Sequence, residues 1–262
     1  MPPLLTSHDP PPFAAHNPNG GAPVLLVCDH ASWRVPSALV NLGLAPELLA
    51  SNHIAWDIGA ACVTRGLAER LNAPALLTGY SRLVIDCNRQ PGDPTSIPAL
   101  SDGVIIPANQ NLGDADAEQR VQTFFWPYHH TITETVARLW RHGPPPALVS
   151  IHSFTPVYRG LQRPWHIGVL WNHDPRMVAP FMHWLAARHP DLCVGDNEPY
   201  SGRAVGFTID RHAGAAGLPH ITLEIRQDLI ADQAGCRRWT DIVGAALEAV
   251  LANESLHRVE HF

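Results

Sequence analysis

The chain contains no lysine; all 18 basic residues are arginine. A Schiff-base or lysine-nucleophile mechanism is therefore excluded. Cysteine is sparse and scattered. Cys28, Cys62, Cys87, Cys193 and Cys236 are odd in number and never form a C-x-x-C pair. Neither a disulfide framework nor a zinc ribbon is expected, and a reducing, cytoplasmic setting fits. No apolar run approaches the length that a bilayer span requires. The opening MPPLLTSHDPPPF lacks a charged segment followed by an apolar one, so no signal peptide is expected. There is no G-x-S-x-G elbow, which ranks a serine hydrolase built on Ser32 or Ser153 low. The net charge of -6 marks neither a general nucleic-acid binder nor an anionic-membrane binder.

What is present is a chain of 262 residues, 45% hydrophobic, with 16 histidines. Residues 1–22, rich in Pro, Gly and Asn, read as an irregular arm. Residues 23–262 read as one catalytic domain, and a homo-oligomer is left open. APVLLVCDHAS is a short apolar run ending in polar residues, the pattern of a buried strand entering a loop. Ala75 to Thr78, Leu83 to Ile85, ALVSIHSFTP, HIGVLWN, Val205 to Asp210 and HITLEIRQD also read as strands. Pro46 to Ala50, Ile58 to Leu71, Ala117 to Arg141, Ala179 to His189 and Trp239 to Leu251 read as helices, with a bend at Pro127. Gln90 to Asn109 is a long irregular stretch and a candidate functional loop. Strands alternating with helices predict an α/β fold with a mixed or largely parallel sheet. Ligands of such sheets collect beyond the carboxyl ends of the strands. That rule selects Asp29-His30, Asp86 to Arg89, His152-Ser153, Asn172-His173 and Glu224 to Arg226.

Two strands that run into His, at His30 and His152, suggest a shared metal centre; neutral imidazole is the commonest zinc ligand. The plainer reading of each is a strand-end residue in a His-rich chain. Asp29 beside His30 is the type of carboxylate that orients such a ring. A catalytic zinc takes three protein ligands and leaves a position for water. His-x-x-Glu is absent, because position 33 is Trp. Asp57 and His53 are the candidates for the third ligand, with Asp57 favoured, although it also reads as a helix N-cap. Glu224 interrupts an apolar strand, with Arg226 on the same face by the period of two. Buried there, a carboxylate is costly unless paired or used. It is either an ion-pair partner or a general base. Arg82, Asn88 and Arg89 cluster around a short strand and point to an anionic substrate, the alternative being a structural Asp86–Arg89 pair. Asn197 and Tyr200 lie in a turn-rich loop that could close over a site, with His212 beyond it as a further contact.

Together, CDHAS, AWDIGA, SRLVIDCNRQP, SIHSFTP, GDNEPYSG and LEIRQD, in this order over roughly residues 24–230, resemble the N-formylglutamate amidohydrolase family. That family is related to zinc carboxypeptidases and to the aspartoacylase and succinylglutamate desuccinylase group. The resemblance implies a three-layer α/β/α fold around a mixed sheet, one zinc ion, and hydrolysis of an amide next to a carboxylate-bearing amino acid. It implies metal ligands His30 and His152 and catalytic Glu224 and Arg82; the related group's His-x-x-Glu is broken by Trp33, and Asp57 stands in as third ligand by elimination. It further implies substrate contacts from Asn88 and Arg89, with Tyr200, Asn197, Arg226 and His212 as additional candidates. A zinc amidase acting on acidic or cell-wall peptides, and a non-catalytic module binding a metal or small acid, are the competing readings.

Overall fold

The computed structural model describes residues 2–204 and 206–262. In chain order the strands are β1 (Phe13–His16), β2 (Val24–Cys28), β3 (Ala75–Thr78), β4 (Leu100–Ser101), β5 (Val104–Ile105), β6 (Ala147–Phe154), β7 (Val157–Tyr158), β8 (Leu161–Gln162), β9 (Ile167–Leu170), β10 (Val194–Asp196) and β11 (His220–Arg226). The helices are α1 (Pro46–Ser51), α2 (Ala60–Arg70), α3 (Asp114–Arg120), α4 (Trp126–His142), α5 (Val178–Arg188), α6 (Phe207–His212) and α7 (Gln233–Leu251).

Seven strands form one mixed sheet in the order β1-β3-β2-β6-β11-β9-β10. The four central strands β3, β2, β6 and β11 run parallel, while β1 and β9 pair antiparallel to their neighbours β3 and β11. Successive side chains of a strand alternate between faces, and the sequence uses this directly. Val24, Leu26 and Cys28 of β2, with Leu223 and Ile225 of β11, pack under α2, α5 and α7. Leu25 and Val27, with Leu148 of β6, pack under α4 and α6. The result is the expected α/β/α layering.

The structure corrects four local expectations. The N-terminal arm is not irregular throughout: Phe13–His16 forms edge strand β1, in register with Ala75–Thr78. Leu83 to Ile85 is a buried turn rather than a strand. Its carbonyls find side chains instead of a neighbouring strand: Asn109 Nδ2 donates to Leu83 O (2.9 Å) and Arg120 Nη1 to Val84 O (3.0 Å). The long helix over 117–141 is divided. A wide π-turn, Val121–Phe125, separates α3 from α4 immediately before Pro127, which has no N–H to offer a regular helix. The stretch expected as a strand from Val205 to Asp210 forms helix α6 from Phe207 onward, with Val205 outside the described residues. Its Thr208 N–H is taken by the Asn88 carboxamide, a tertiary contact that overrides β-branched composition.

Candidate metal centre and pocket

Of the polar residues selected at the strand ends, His30, Asn88, Arg89, His152, Ser153 and Glu224 converge on one cavity, whereas Asn172 and His173 line a separate one. His30 lies on the turn leaving β2, which Thr78 pins from the end of β3. Thr78 Oγ1 donates to Asp29 O (2.9 Å) and accepts from Ala31 N–H (3.1 Å). The His30 carbonyl in turn receives the Asp57 N–H (2.9 Å). Gly59, not Asp57, caps α2, so the Asp57 carboxylate is free of that duty. His152 lies within β6, which continues to Phe154, and Glu224 is its register partner on parallel β11. Strand pairing alone thus places these two side chains on one face.

His30 Nδ1 and His152 Nδ1 approach the same atom, Asp57 Oδ2, at 3.4 and 2.7 Å. All three residues are buried, and their ligand atoms lie within 4.8 Å of one another. This set could hold a metal ion. Two imidazoles and a carboxylate match the three-ligand shell of a catalytic site. The opposite nitrogen of each ring also faces a carboxylate, which fixes how the ring is turned. His30 Nε2 lies 2.7 Å from Asp86 Oδ1. His152 Nε2 lies 3.4 Å from Asp29 Oδ2, an ion-pair contact rather than an aligned hydrogen bond. The carboxylate beside His30 in sequence therefore serves the other histidine.

The electrostatics follow from burial and pairing. Burial disfavours the charged form of Asp86, yet Arg82 and His30 hold its carboxyl well below the ordinary range. Burial opposes the Asp57 carboxylate too, but His30 and His152 keep it lowered. Burial likewise works against a charged His152, and Asp29 and Asp57 outweigh it, raising its pKa well above the usual value. Glu224 is the exception. Burial pushes its carboxyl up to about 7, with His152 opposing and Asp57 reinforcing the shift. Its Oε2 is buried with no hydrogen-bond partner among the described residues.

Arg82, Asn88, Arg89 and Tyr200 line the same cavity as the triad and Glu224. Arg82 Nη2 donates to Asp86 Oδ2 (2.6 Å), and its Nη1 stands 3.7 Å from Asp57 Oδ1. This replaces the Asp86–Arg89 pair considered from sequence; Arg89 Nη1 instead donates to the Asn88 carbonyl (2.9 Å). Asn88 Oδ1 accepts from Thr208 N–H, which turns the carboxamide NH2 into its remaining donor. Tyr200 Oη accepts from buried Arg163 (3.1 Å). The loop carrying Tyr200 lies against Gly168, where any Cβ would overlap the Glu198 carbonyl.

Three candidates stand elsewhere. Asn197 Oδ1 accepts from Trp171 N–H and Gly202 N–H, both at 3.0 Å, and so shapes the loop rather than the cavity. Arg226, at the last position of β11, turns to Asp228 (2.8 Å) and does not pair with Glu224. His212 stacks on His129, with Nε2 and Nδ1 2.8 Å apart. His53 lines the cavity but faces Asp102 at 3.5 Å, outside the triad. Sequence reasoning missed Tyr128 and Thr208, which donate to Asp29 Oδ1 at 2.8 and 3.0 Å. Tyr128 reads as one more apolar-face helix residue, and nothing local marks Thr208.

Residues 22–231 match the N-formylglutamate amidohydrolase family. The chain belongs to that family. Among known structures, a gene product of Agrobacterium tumefaciens is 34% identical with a TM-score of 0.88, covering 94% of this chain and 99% of that one. The N-formylglutamate amidohydrolase of Ralstonia eutropha is 20% identical with a TM-score of 0.64, covering 92% and 97%, a likeness of fold. No curated protein sequence matches. As a member of the N-formylglutamate amidohydrolase family, the chain is a hydrolase of amide bonds. Among the described residues, no helix is long and apolar enough to cross a membrane.

Proposed function

We propose that this amidohydrolase cleaves N-acyl acidic amino acids of the N-formylglutamate kind, with zinc held by His30, Asp57 and His152. The observation that carries the reading is the approach of two Nδ1 atoms to one buried carboxylate oxygen, beside an unpartnered Glu224 carboxyl. When bound, zinc supplies Lewis acidity and eases proton loss from water. Glu224 takes a proton from the attacking water and later gives one to the departing amine; a carboxyl raised by burial suits both roles. The Arg82 guanidinium, fixed by Asp86, stabilises negative charge growing on the carbonyl oxygen. Asn88 and Arg89 hold the substrate carboxylate, and Tyr200 supplies a hydroxyl at the cavity wall. The products are a short acid and an acidic amino acid. A cytoplasmic setting fits five free thiols.

The test is metal content measured beside turnover of a panel of N-acyl amino acids and acidic peptides. Zinc at one per chain, with N-acyl dicarboxylic amino acids turned over best, is expected. Active, metal-free, chelator-insensitive protein overturns the metal assignment. Glu224→Gln should retain metal and lose roughly 10²–10⁴-fold in kcat. Full activity in that variant removes Glu224 from the mechanism.

A further inference from the structure

α2 and α7 pack side by side, and their contacts keep one register. Gly66 meets Thr240: a Cβ built on Gly66 would lie 3.3 Å from the Thr240 Cβ and 2.6 Å from its Oγ1. One turn on, Arg70 crosses Gly244 and bonds Asp241 and Glu248. One turn back, the same seam presents Cys62 opposite Cys236. Both line one surface cleft with Gln233. Cys62 Sγ is 3.9 Å from Gln233 Oε1, Cys236 Sγ is 3.5 Å from the Ile230 carbonyl, and Cys62 packs against the buried cluster that contains Cys236. A disulfide needs Cβ atoms about 3.5–4.5 Å apart. At the next turn a Cβ on Gly66 would lie closer still to Thr240, so the two helices approach closely along this seam.

We propose that Cys62 and Cys236 form a reversible dithiol–disulfide pair, a modification site that clamps together two helices leading out of the active-site loops. Cys62 lies five residues after Asp57, and α7 begins shortly after β11, which carries Glu224. Gly59, before α2, packs on the Ile230 carbonyl, and Ser153 Oγ bonds the Ile58 carbonyl at 2.8 Å. The cross-link therefore ties down the segment that presents Asp57.

The two sulfurs have different parts. Cys236 is 5% exposed, and burial together with Cys62 pushes its thiol up to about 12. Cys62 is partly exposed at the first turn of α2 and meets the oxidant first. A peroxide oxidises the Cys62 thiolate to sulfenic acid and is itself reduced, releasing hydroxide. Cys236 Sγ then attacks that sulfur: the S–S bond forms, the S–O bond breaks, and the Cys236 proton leaves with the hydroxide as water. A small thiol reverses the step by exchange. Cys28 and Cys87 are buried, and Cys193 is exposed and serves as an internal control.

The test treats the protein with hydrogen peroxide, alkylates free thiols, and digests it with trypsin without reductant. Peptide 35–65 joined to peptide 227–237 is expected, released by dithiothreitol and absent from Cys62→Ser and Cys236→Ser. Closing so long a loop should also raise Tm, by about 5 °C or more, in the wild type alone. The proposal is overturned if the two peptides emerge separately alkylated. It is equally overturned if Cys62 stops at a sulfenic or sulfinic acid, or if the only disulfide joins chains through Cys193.

Discussion

His30 and His152 reach the same oxygen of Asp57, but different surroundings hold them there. His30 leans on Asp86, and Asp86 is gripped by Arg82, whose side chain is 27% exposed at the cavity. His152 leans on Asp29, which receives the hydroxyls of Tyr128 and Thr208, both fully buried. One support is a charged chain that opens toward substrate. The other is a dry shell of neutral donors belonging to α4 and α6. Two equivalent histidines can thus be placed by unlike means, an ion pair where solvent is near and hydroxyls where it is excluded.

The comparison breaks most completely at the residue both sides share. Asp57→Ala should lower metal affinity by 100-fold or more in a chelator competition, leaving neither side distinguishable; retention of wild-type affinity would remove Asp57 from the shell. The two carboxylates behind the rings come next. Asp86→Asn and Asp29→Asn should each weaken metal binding by roughly 10–100-fold. Only Asp86→Asn also frees Arg82, so it alone should change kcat with metal saturating. Equal kcat losses in the two variants would erase the distinction.

Acid should loosen the His152 side first. His129 Nε2 bonds the Cys87 carbonyl (2.8 Å) and its Nδ1 meets His212, so this pair joins α4 to α6. Burial lowers His129 to about 4 and His212 to about 3, with His129 adding to the latter. Both rings are neutral in the fold, whereas in the unfolded chain they charge near 6.5. Their contribution is complete above that pH and is lost as pH falls toward 4, because the unfolded state then binds more protons. Unfolding free energy should drop over this window by on the order of 2 kcal/mol per ring, and His129→Asn should flatten the drop. A pH-independent stability from 7 to 4 would contradict it. The smallest effect is Tyr128→Phe, which removes one of the hydroxyls on Asp29 and should cost a few-fold in metal affinity.

The convergence of His30, His152 and Glu224 was legible because β2, β6 and β11 are short apolar runs whose polar breaks must gather at one edge of a largely parallel sheet. Asp57 was reached by elimination and lies beside both histidines. What was not legible depends on tertiary contact. Asp29 serves His152 rather than His30, and Asp86 takes His30 and Arg82 rather than Arg89, because each turn aims its carboxylate across the site, not along the chain. Arg226 has the correct strand parity, but β11 ends at that residue and Asp228 draws the guanidinium outward. Leu83 to Ile85 has strand composition and no adjacent strand, and α6 carries strand-like residues held helical by Asn88. In both, side chains distant in sequence decide the backbone.

Gly168 faces Glu224 across the β9–β11 pairing, and the backbone of Glu198 fills the space its side chain would take. A methyl group there would displace the loop that ends at Tyr200. A screen scored on turnover alone would rank Gly168 with the reactive groups, although it has nothing to offer a substrate. In this fold the absence of a side chain can be as indispensable as a functional group, and a map of indispensable positions is not a map of chemistry.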